Sequence, residues 1–468
     1  MKRRWNLVAV FGVLVVLLGG YLYLQLRPKP ASTSAAQTQI VKMDQDKLVK
    51  VVLSRSTGNL VLEKSGKDWK LDYPYPINLS TSSIEGVAST IADLTAQQVI
   101  EENPTDLAQF GLKPPRVTVT ASQSDGVTKT LYLGDKTPSG DSYYLQAQGD
   151  PKVYTVGAYV GNQFAYTVAD FRDRALTPAI NGDEVTYMRV KERGGQVIEL
   201  KEKTADEQKS IALGLGKFLM TQPYPYPLGT DSDKADAFVK APTSVQITDF
   251  VDDNPKSLAP YGLDHPWGEL TVRDKANTLG LQFGADKDKD HYYFKIVGQP
   301  GVYTVDKSSV SFMDQKAFDL VDKFAFIPSI ENVDRIVVTA AGKTHELVIQ
   351  RTVKKAEKAG DADQTVATYT ADGKSVEEGQ FKGFYEILIG LQVEGELTKT
   401  VSGTPEITFR YFMNTGDQRE VLVSFIPYNT DFDAVSVNGK GTFAISRTQL
   451  AGMLTQMDKF LRGEKVQN

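Results

Sequence analysis

The sequence contains no cysteine. Disulfides, thiolate catalysis, iron–sulfur clusters and cysteine-based zinc sites are therefore excluded. Histidine is nearly as scarce, with only His265, His291 and His345, far apart in the chain. No Ser-His-Asp order, His-Glu-x-x-His helix, P-loop or glycine-rich dinucleotide turn occurs. A strong charge of one sign is lacking too. The 468 residues carry a formal net charge of −5 and no basic stripe, which argues against a nucleic-acid partner. Nothing in the pattern implies a cofactor or a metal. What stays open for catalysis is a pair of carboxylates, which needs no local motif and would suit a hydrolase of envelope material.

What is present is the composition of a folded chain, 41% hydrophobic and 24% charged. Its length suggests about three domains. Tyr and Phe number 21 each, and Tyr favours strands and half-wet surfaces.

The N-terminus is distinctive. Lys2-Arg3-Arg4 precedes an apolar run from Trp5 to Leu26, broken only by Asn6, Gly19-Gly20 and Gln25. At about 1.5 Å per residue such a run crosses a hydrocarbon core of roughly 30 Å. Trp5, Tyr21 and Tyr23 sit towards its ends, as interfacial aromatics do. The basic cluster favours a cytoplasmic N-terminus, and a cleaved signal peptide is the alternative. Residues 1–27 are thus expected to be a single-pass transmembrane anchor that leaves the bulk of the chain extracytoplasmic. Residues 28–42, rich in Pro, Ala, Ser, Thr and Gln, read as a flexible linker.

Beyond the linker a pattern recurs. Asn103-Pro104, Leu107, Phe110-Gly111-Leu112 and Pro115 return as Asn254-Pro255, Leu258, Tyr261-Gly262-Leu263 and Pro266. A second motif, Tyr73-Pro74-Tyr75-Pro76, returns as Tyr224-Pro225-Tyr226-Pro227 at the same offset from its asparagine. Two motifs sharing one offset mark a tandem repeat. Each repeat opens with short apolar runs that read as a hairpin, such as Leu48–Leu53 and Leu60–Leu62. Ser82 and Glu85 suggest a capping box before Ile84, Val87, Ile91 and Leu94, which recur at helical spacing. Four runs then read as an antiparallel meander: 117–119, 131–133, 143–145 and 153–156. Val160, Phe164, Val168 and Phe171 suggest a closing helix.

A third, divergent copy shows in Val333–Val338, in Phe381 to Leu391, in strand-like runs from Ile407 to Ile445, and in a helix capped by Ser446 with Gln449. The Gly-Leu-x-x-Pro motif is missing from it, as terminal repeats are often atypical. The expected fold is α+β: an N-terminal transmembrane helix, then three tandem repeats at 43–178, 179–328 and 329–468. Each would be a mostly antiparallel β-meander with one or two helices.

Trp69-x-Leu71, Leu107 with Phe110-Gly111-Leu112 and Pro115, Leu133-Gly134, Pro138-x-Gly140, Tyr143-Tyr144 and Asp170-Phe171-Arg172 together resemble the DUF4340 family. The resemblance covers roughly residues 60 to 175 and, more loosely, 215 to 325. It implies a single-pass protein of the bacterial cytoplasmic membrane. Its partner would be an ABC-transporter permease or an associated auxiliary protein of the gliding-motility type. It carries no catalytic residues to this chain.

The motif residues Asn103, Leu107, Phe110, Gly111, Leu112 and Pro115, with Asn254, Leu258, Tyr261, Gly262, Leu263 and Pro266, are read as structural. Gly111 and Gly262 would end a helical turn with φ > 0, and the proline would force extended chain beyond it. Tyr73, Tyr75, Tyr224 and Tyr226, on extended segments, are the candidate partner surface. Asp286-x-Asp288-x-Asp290 opens like a calcium loop, but His291 and Val297 stand where Gly and Glu are needed, so a solvated hairpin tip is the better reading. The function expected is a non-catalytic extracytoplasmic accessory subunit of a membrane complex. The alternative is a module that binds envelope polysaccharide or peptidoglycan.

Overall fold

The alternation of apolar and polar residues becomes three large antiparallel sheets. A computed structural model describes residues 38–209, 214–355, 364–399, 401–415 and 419–467. The expected anchor, 1–27, and the first part of the linker lie outside the described residues. Among those described, no helix is long and apolar enough to cross a membrane.

The chain forms two compact units, divided between Asp173 and Arg174. The first unit begins with a correction: Thr38–Lys42, assigned to the linker, is a strand (β1). Then follow β2 (Leu48–Arg55), β3 (Gly58–Ser65), β4 (Asp68–Leu71), α1 (Thr81–Ala92), β5 (Asp93–Ala96) and β6 (Gln98–Glu101). The meander is β7 (Val117–Gln123), β8 (Thr128–Lys136), β9 (Ser142–Ala147) and β10 (Val153–Gly157), closed by α2 (Ala158–Phe164). β1 pairs with β5, Val41 opposite Leu94. The other strands make one sheet in the order β4-β3-β2-β7-β8-β9-β10-β6. Along β7, Val117, Val119 and Ala121 are buried while Thr118, Thr120 and Ser122 are half-exposed, the period of two that a sheet imposes. Ile84, Val87 and Ile91 of α1 join Leu131, Leu133, Leu145, Phe164 and Phe171 in one core.

Two local expectations fail for identifiable reasons. α1 is capped by Ser80, whose hydroxyl accepts the Ser83 amide at 3.2 Å, and not by Ser82. Leu94 leaves the helix because pairing with β1 draws Asp93–Ala96 into a strand. The expected closing helix is also two pieces. α2 stops at Phe164, and a 3-10 turn, Val168–Phe171, starts afresh where Asp170 accepts both the Thr167 amide and its hydroxyl at 2.7 Å.

The second unit holds two nine-stranded sheets. The first comprises β11 (Tyr187–Lys191), β12 (Val197–Glu202), β13 (Phe218–Gln222), β14 (Leu228–Gly229), β15 (Asp249–Asp252), β16 (Gly268–Arg273), β17 (Thr278–Asp286), β18 (His291–Ile296) and β19 (Val302–Asp306). Short helices α3 (Ala205–Lys209), α4 (Ser232–Lys240) and α5 (Ala317–Leu320) intervene or follow. The order is β14-β13-β12-β11-β16-β17-β18-β19-β15. The last sheet comprises β20 (Val333–Ala340), β21 (Lys343–Lys354), β22 (Gln364–Ala371), β23 (Lys374–Val376), β24 (Gly395–Glu396), β25 (Ile407–Met413), β26 (Glu420–Pro427), β27 (Phe432–Val437) and β28 (Lys440–Ser446). Its helices are α6 (Glu378–Ile389) and α7 (Arg447–Leu461). Its order is β23-β22-β21-β20-β25-β26-β27-β28-β24.

Strand for strand this matches the preceding sheet, and the sheet of the first unit differs only in lacking the outermost member. Ser446 caps α7 by accepting the Gln449 amide. The two sheets of the second unit share one continuous apolar core, so the expected division at 328 falls inside a single packed body.

Candidate functional site

The Gly-Leu-x-x-Pro stretch is the crossing from an edge strand to the middle of a sheet. After β6 the chain must return to β7, past β10, β9 and β8. It does so on the face opposite α1. Phe110 and Leu112 pack there with Leu107, Tyr132 and Tyr144, whose neighbours Leu131, Leu133 and Leu145 point to the α1 side. Phe110 meets Tyr144 edge to face at 5.0 Å, and Tyr261 meets Tyr293 in the same way at 5.2 Å. A 3-10 turn, Ala108–Phe110, ends at Gly111 with φ 64°; the turn Ala259–Tyr261 ends at Gly262 with φ 65°. L side chains rarely adopt that conformation.

The crossing also explains a second glycine. A Cβ on Gly134 would run into the Phe110 carbonyl, and one on Gly284 into the Tyr261 carbonyl. The chain thus lies directly on the strand beneath it. The β8–β9 and β17–β18 ladders both shift register at this place. Asn103 and Asn254 are exposed at the start of the crossing, Leu263 is buried, and Leu258, Pro115 and Pro266 are half-buried. The polar contacts there are an ion pair of Arg116 with Asp135 at 3.6 Å in one crossing and a hydrogen bond from the Tyr261 hydroxyl to Asp252 at 3.1 Å in the other.

The two Tyr-Pro-Tyr-Pro segments have different fates. In both, the prolines keep the chain out of the ladder. Tyr75 is 40% exposed and meets Tyr73 edge-on at 6.0 Å. Tyr224, by contrast, is buried. Its hydroxyl donates to Glu396 Oε1 at 2.7 Å, and its ring packs edge-on against Phe443 at 5.3 Å. Tyr226 shares a hydrogen bond with Thr442 at 2.9 Å. Burial and Glu396 push the Tyr224 phenol up, and burial does the same for Tyr226. Tyr224 and Tyr226 therefore face the chain's own last sheet, Tyr224 buried and Tyr226 half-buried. They clasp the β24 and β28 edge of the last sheet within the same unit.

The histidines are separate. His265 is exposed. His291 bridges Asp288 at 2.7 Å and Asp306 at 3.1 Å, and His345 meets Asp372 at 2.7 Å. The Asp286–Asp290 tip is tied up by Lys307 on Asp286, by Lys287 on Asp249, and by backbone amides on Asp288. Among the described residues no group of His, Asp and Glu side chains is placed to hold a metal ion.

Beside the clasp lies a pocket of about 340 Å³, which the Tyr-Pro-Tyr-Pro segment reaches through Tyr226 and Pro227. Tyr226, Leu228, Asp322, Phe324, Val393 and Phe443 are in its wall. Burial holds the Asp322 carboxyl above its ordinary range. Burial likewise lowers Lys203, whose ammonium donates to the Gly214 carbonyl at 2.7 Å. Lys323 is pushed down to about 8 for the same reason.

Comparison with curated proteins and with solved structures finds no match. A family model does match, over residues 69–251 and again over 219–401. These spans run further than the 60–175 and 215–325 that the motifs suggest. Each starts in the last strands of one hairpin, at Trp69 or Leu219, and ends at or just past the edge strand of the next sheet. With two overlapping copies across most of its length, the chain belongs to the family described as a domain of unknown function, DUF4340.

Proposed function

We propose that this chain is a membrane-anchored, extracytoplasmic, non-catalytic interaction subunit built from three copies of one α+β unit. Its partner is a membrane complex of the ABC-transporter type. One observation carries the reading: three sheets with a common strand order, two of them with the same glycine-bearing crossing, and one Tyr-Pro segment that joins two of the sheets. Repeated surfaces of this kind favour binding over chemistry. The apolar run Trp5–Leu26 supports the anchor, and its basic flank supports a cytoplasmic N-terminus. With the N-terminus inside, the folded units would lie on the outer side.

The test is purification of the full chain in mild detergent from its own cells. Co-elution with a permease or ATPase subunit is expected. Recovery as a lone monomer counts against the proposal. A second reading, binding of envelope polysaccharide, draws on the exposed Tyr75 beside Tyr73. Retention of the full chain on peptidoglycan or glycan resin, lost on Tyr75→Ala, would favour it instead.

A further inference from the structure

The long hairpin of the last sheet reaches past the core. β21 and β22 pair without a shift from Leu347 opposite Ala371 to Lys354 opposite Gln364. Leu347, Ile349, Tyr369 and Ala371 are buried, but beyond them Val353 is 66% exposed and Val366 36%. On its outer side β22 is covered by β23 only at Tyr369–Ala371. Among the described residues no strand pairs with the outer side of Gln364–Thr368.

The phase of the ladder identifies the backbone groups left over. Asp372 and Gly373, both with positive φ, form the two-residue turn between β22 and β23. Ala371 and Lys374 are therefore a hydrogen-bonded pair, so Ala371 turns its amide and carbonyl away from β21. With a period of two, Ala367 and Thr365 do the same, while Gln364, Val366 and Thr368 bond to β21. Natural edges are guarded by proline, charge or a bulge. The outermost strands of the other two sheets have such a guard: β4 runs on to Tyr73-Pro74-Tyr75-Pro76, and β14 follows Tyr224-Pro225-Tyr226-Pro227. Gln364–Thr368 contains neither proline nor charge.

We propose that this edge pairs antiparallel with the same edge of a second copy of the chain, about a twofold axis at Val366. Thr365 and the second copy's Ala367 then exchange both backbone bonds, and the axis repeats the exchange. Val366 meets its own counterpart as a non-hydrogen-bonded pair, where side chains come closest. A centre nearer Tyr369 would collide with β23, so Val366 is the position that uses the whole open stretch. The register is also free of like-charge contacts. Lys354 shares its row with Gln364 and then with the second copy's Thr368 and Gln350. Such a contact closes at two copies and leaves no further edge open. The inference does not rest on a transporter partner.

The lack of cysteine makes the test direct. In the full chain in mild detergent, Val366→Cys should form an intermolecular disulfide on gentle oxidation, because the axis sets its two copies directly opposite. Gln364→Cys should not. In this register it faces the second copy's Thr368, and its own counterpart is roughly 13 Å away along the strands. Sedimentation equilibrium should show reversible dimers of the unmodified chain. Thr365→Pro removes an outward amide at an edge position and leaves the β21 ladder in place, so it should weaken the dimer about tenfold. Val366→Lys sets like charges face to face and should act in the same direction. Association through the expected anchor would respond to neither change. Thermal melts of both variants should match the unmodified chain, and the cysteine comparison stands if either fails to fold. A monomer at every concentration overturns the proposal. So do dimers that survive both substitutions, or equal cross-linking of the two cysteine variants. Cross-linking of Val366→Cys to a different protein in membranes from its own cells, with no homodimer, assigns the edge to a partner's strand and overturns it too.

Discussion

The sheet of the first unit and the last sheet of the second handle the same topological problem differently. In the former, the crossing to β7 lies on β8, and a glycine and a register shift stand beneath it. In the latter, the equivalent of Leu133 is Phe425, since each begins the pairing with the first meander strand. The next residue is Ile426 in place of Gly134, and the β26–β27 ladder runs without a shift. The connection from β24 to β25, residues 397–406, is also shorter than the 102–116 crossing. Glycine is retained where a backbone must touch a backbone. Where that contact is gone, a β-branched residue suited to a strand takes its place.

Substitution at these positions puts the largest strain on that comparison. Gly134→Val and Gly284→Val should each cost about 3 kcal/mol, because the new side chain meets fixed carbonyl groups. Ile426→Gly, which loses strand preference and a half-buried side chain but meets no clash, should cost about 2 kcal/mol. Urea unfolding of the variants gives the ratio, and equal losses at Gly134 and Ile426 would end the crossing account. Next come Gly111→Ala and Gly262→Ala, expected to lose about 1–2 kcal/mol from their left-handed conformation. A neutral result at both would mean that the turn relaxes freely.

The two Tyr-Pro segments allow a second contrast. Tyr224→Phe removes a donor from Glu396 and should cost about 1–2 kcal/mol. Tyr75→Phe should stay within about 0.5 kcal/mol. A matched pair of thermal melts checks this. The smallest effect is a pH dependence. Lys323 has a lowered folded pKa, so between about pH 8 and its ordinary value the unfolded chain binds more protons. Stability should therefore gain from this group as pH rises through that window. Lys323→Gln should flatten the slope, and an unchanged slope would assign the effect elsewhere.

Much of the fold was legible because alternation and turn residues are local signals. The four runs from Val117 to Val156 are strands β7 to β10, and the left-handed glycines followed from Gly-Leu-x-x-Pro alone. What was hidden depended on distant partners. Thr38–Lys42 holds only Ile40 and Val41 as apolar residues beside a linker-like stretch; it is a strand because β5 is there to pair with it. Ala165 breaks a helical pattern because Asp170 caps a new turn. The clasp joins Tyr224 to Glu396 and Tyr226 to Thr442 across long stretches of chain, and Glu396 has no counterpart pattern nearby. Asp322 sits in no motif, and only burial singles it out. The recurrence of Tyr-Pro-Tyr-Pro was the usable hint, since a segment copied along with the sheets has to touch something.

The small β1–β5 pair has a mechanical consequence. Any tension entering from the N-terminal side reaches Thr38 before it reaches β2, the first strand of the large sheet. The load therefore falls first on five residues held to a short partner. Val41 belongs to the same core as α1 and the large sheet, so a pull that peels these residues also uncovers that core. The strand nearest the N-terminus is therefore tied to the stability of the whole unit, and slack upstream of Thr38 has to come from the chain before it.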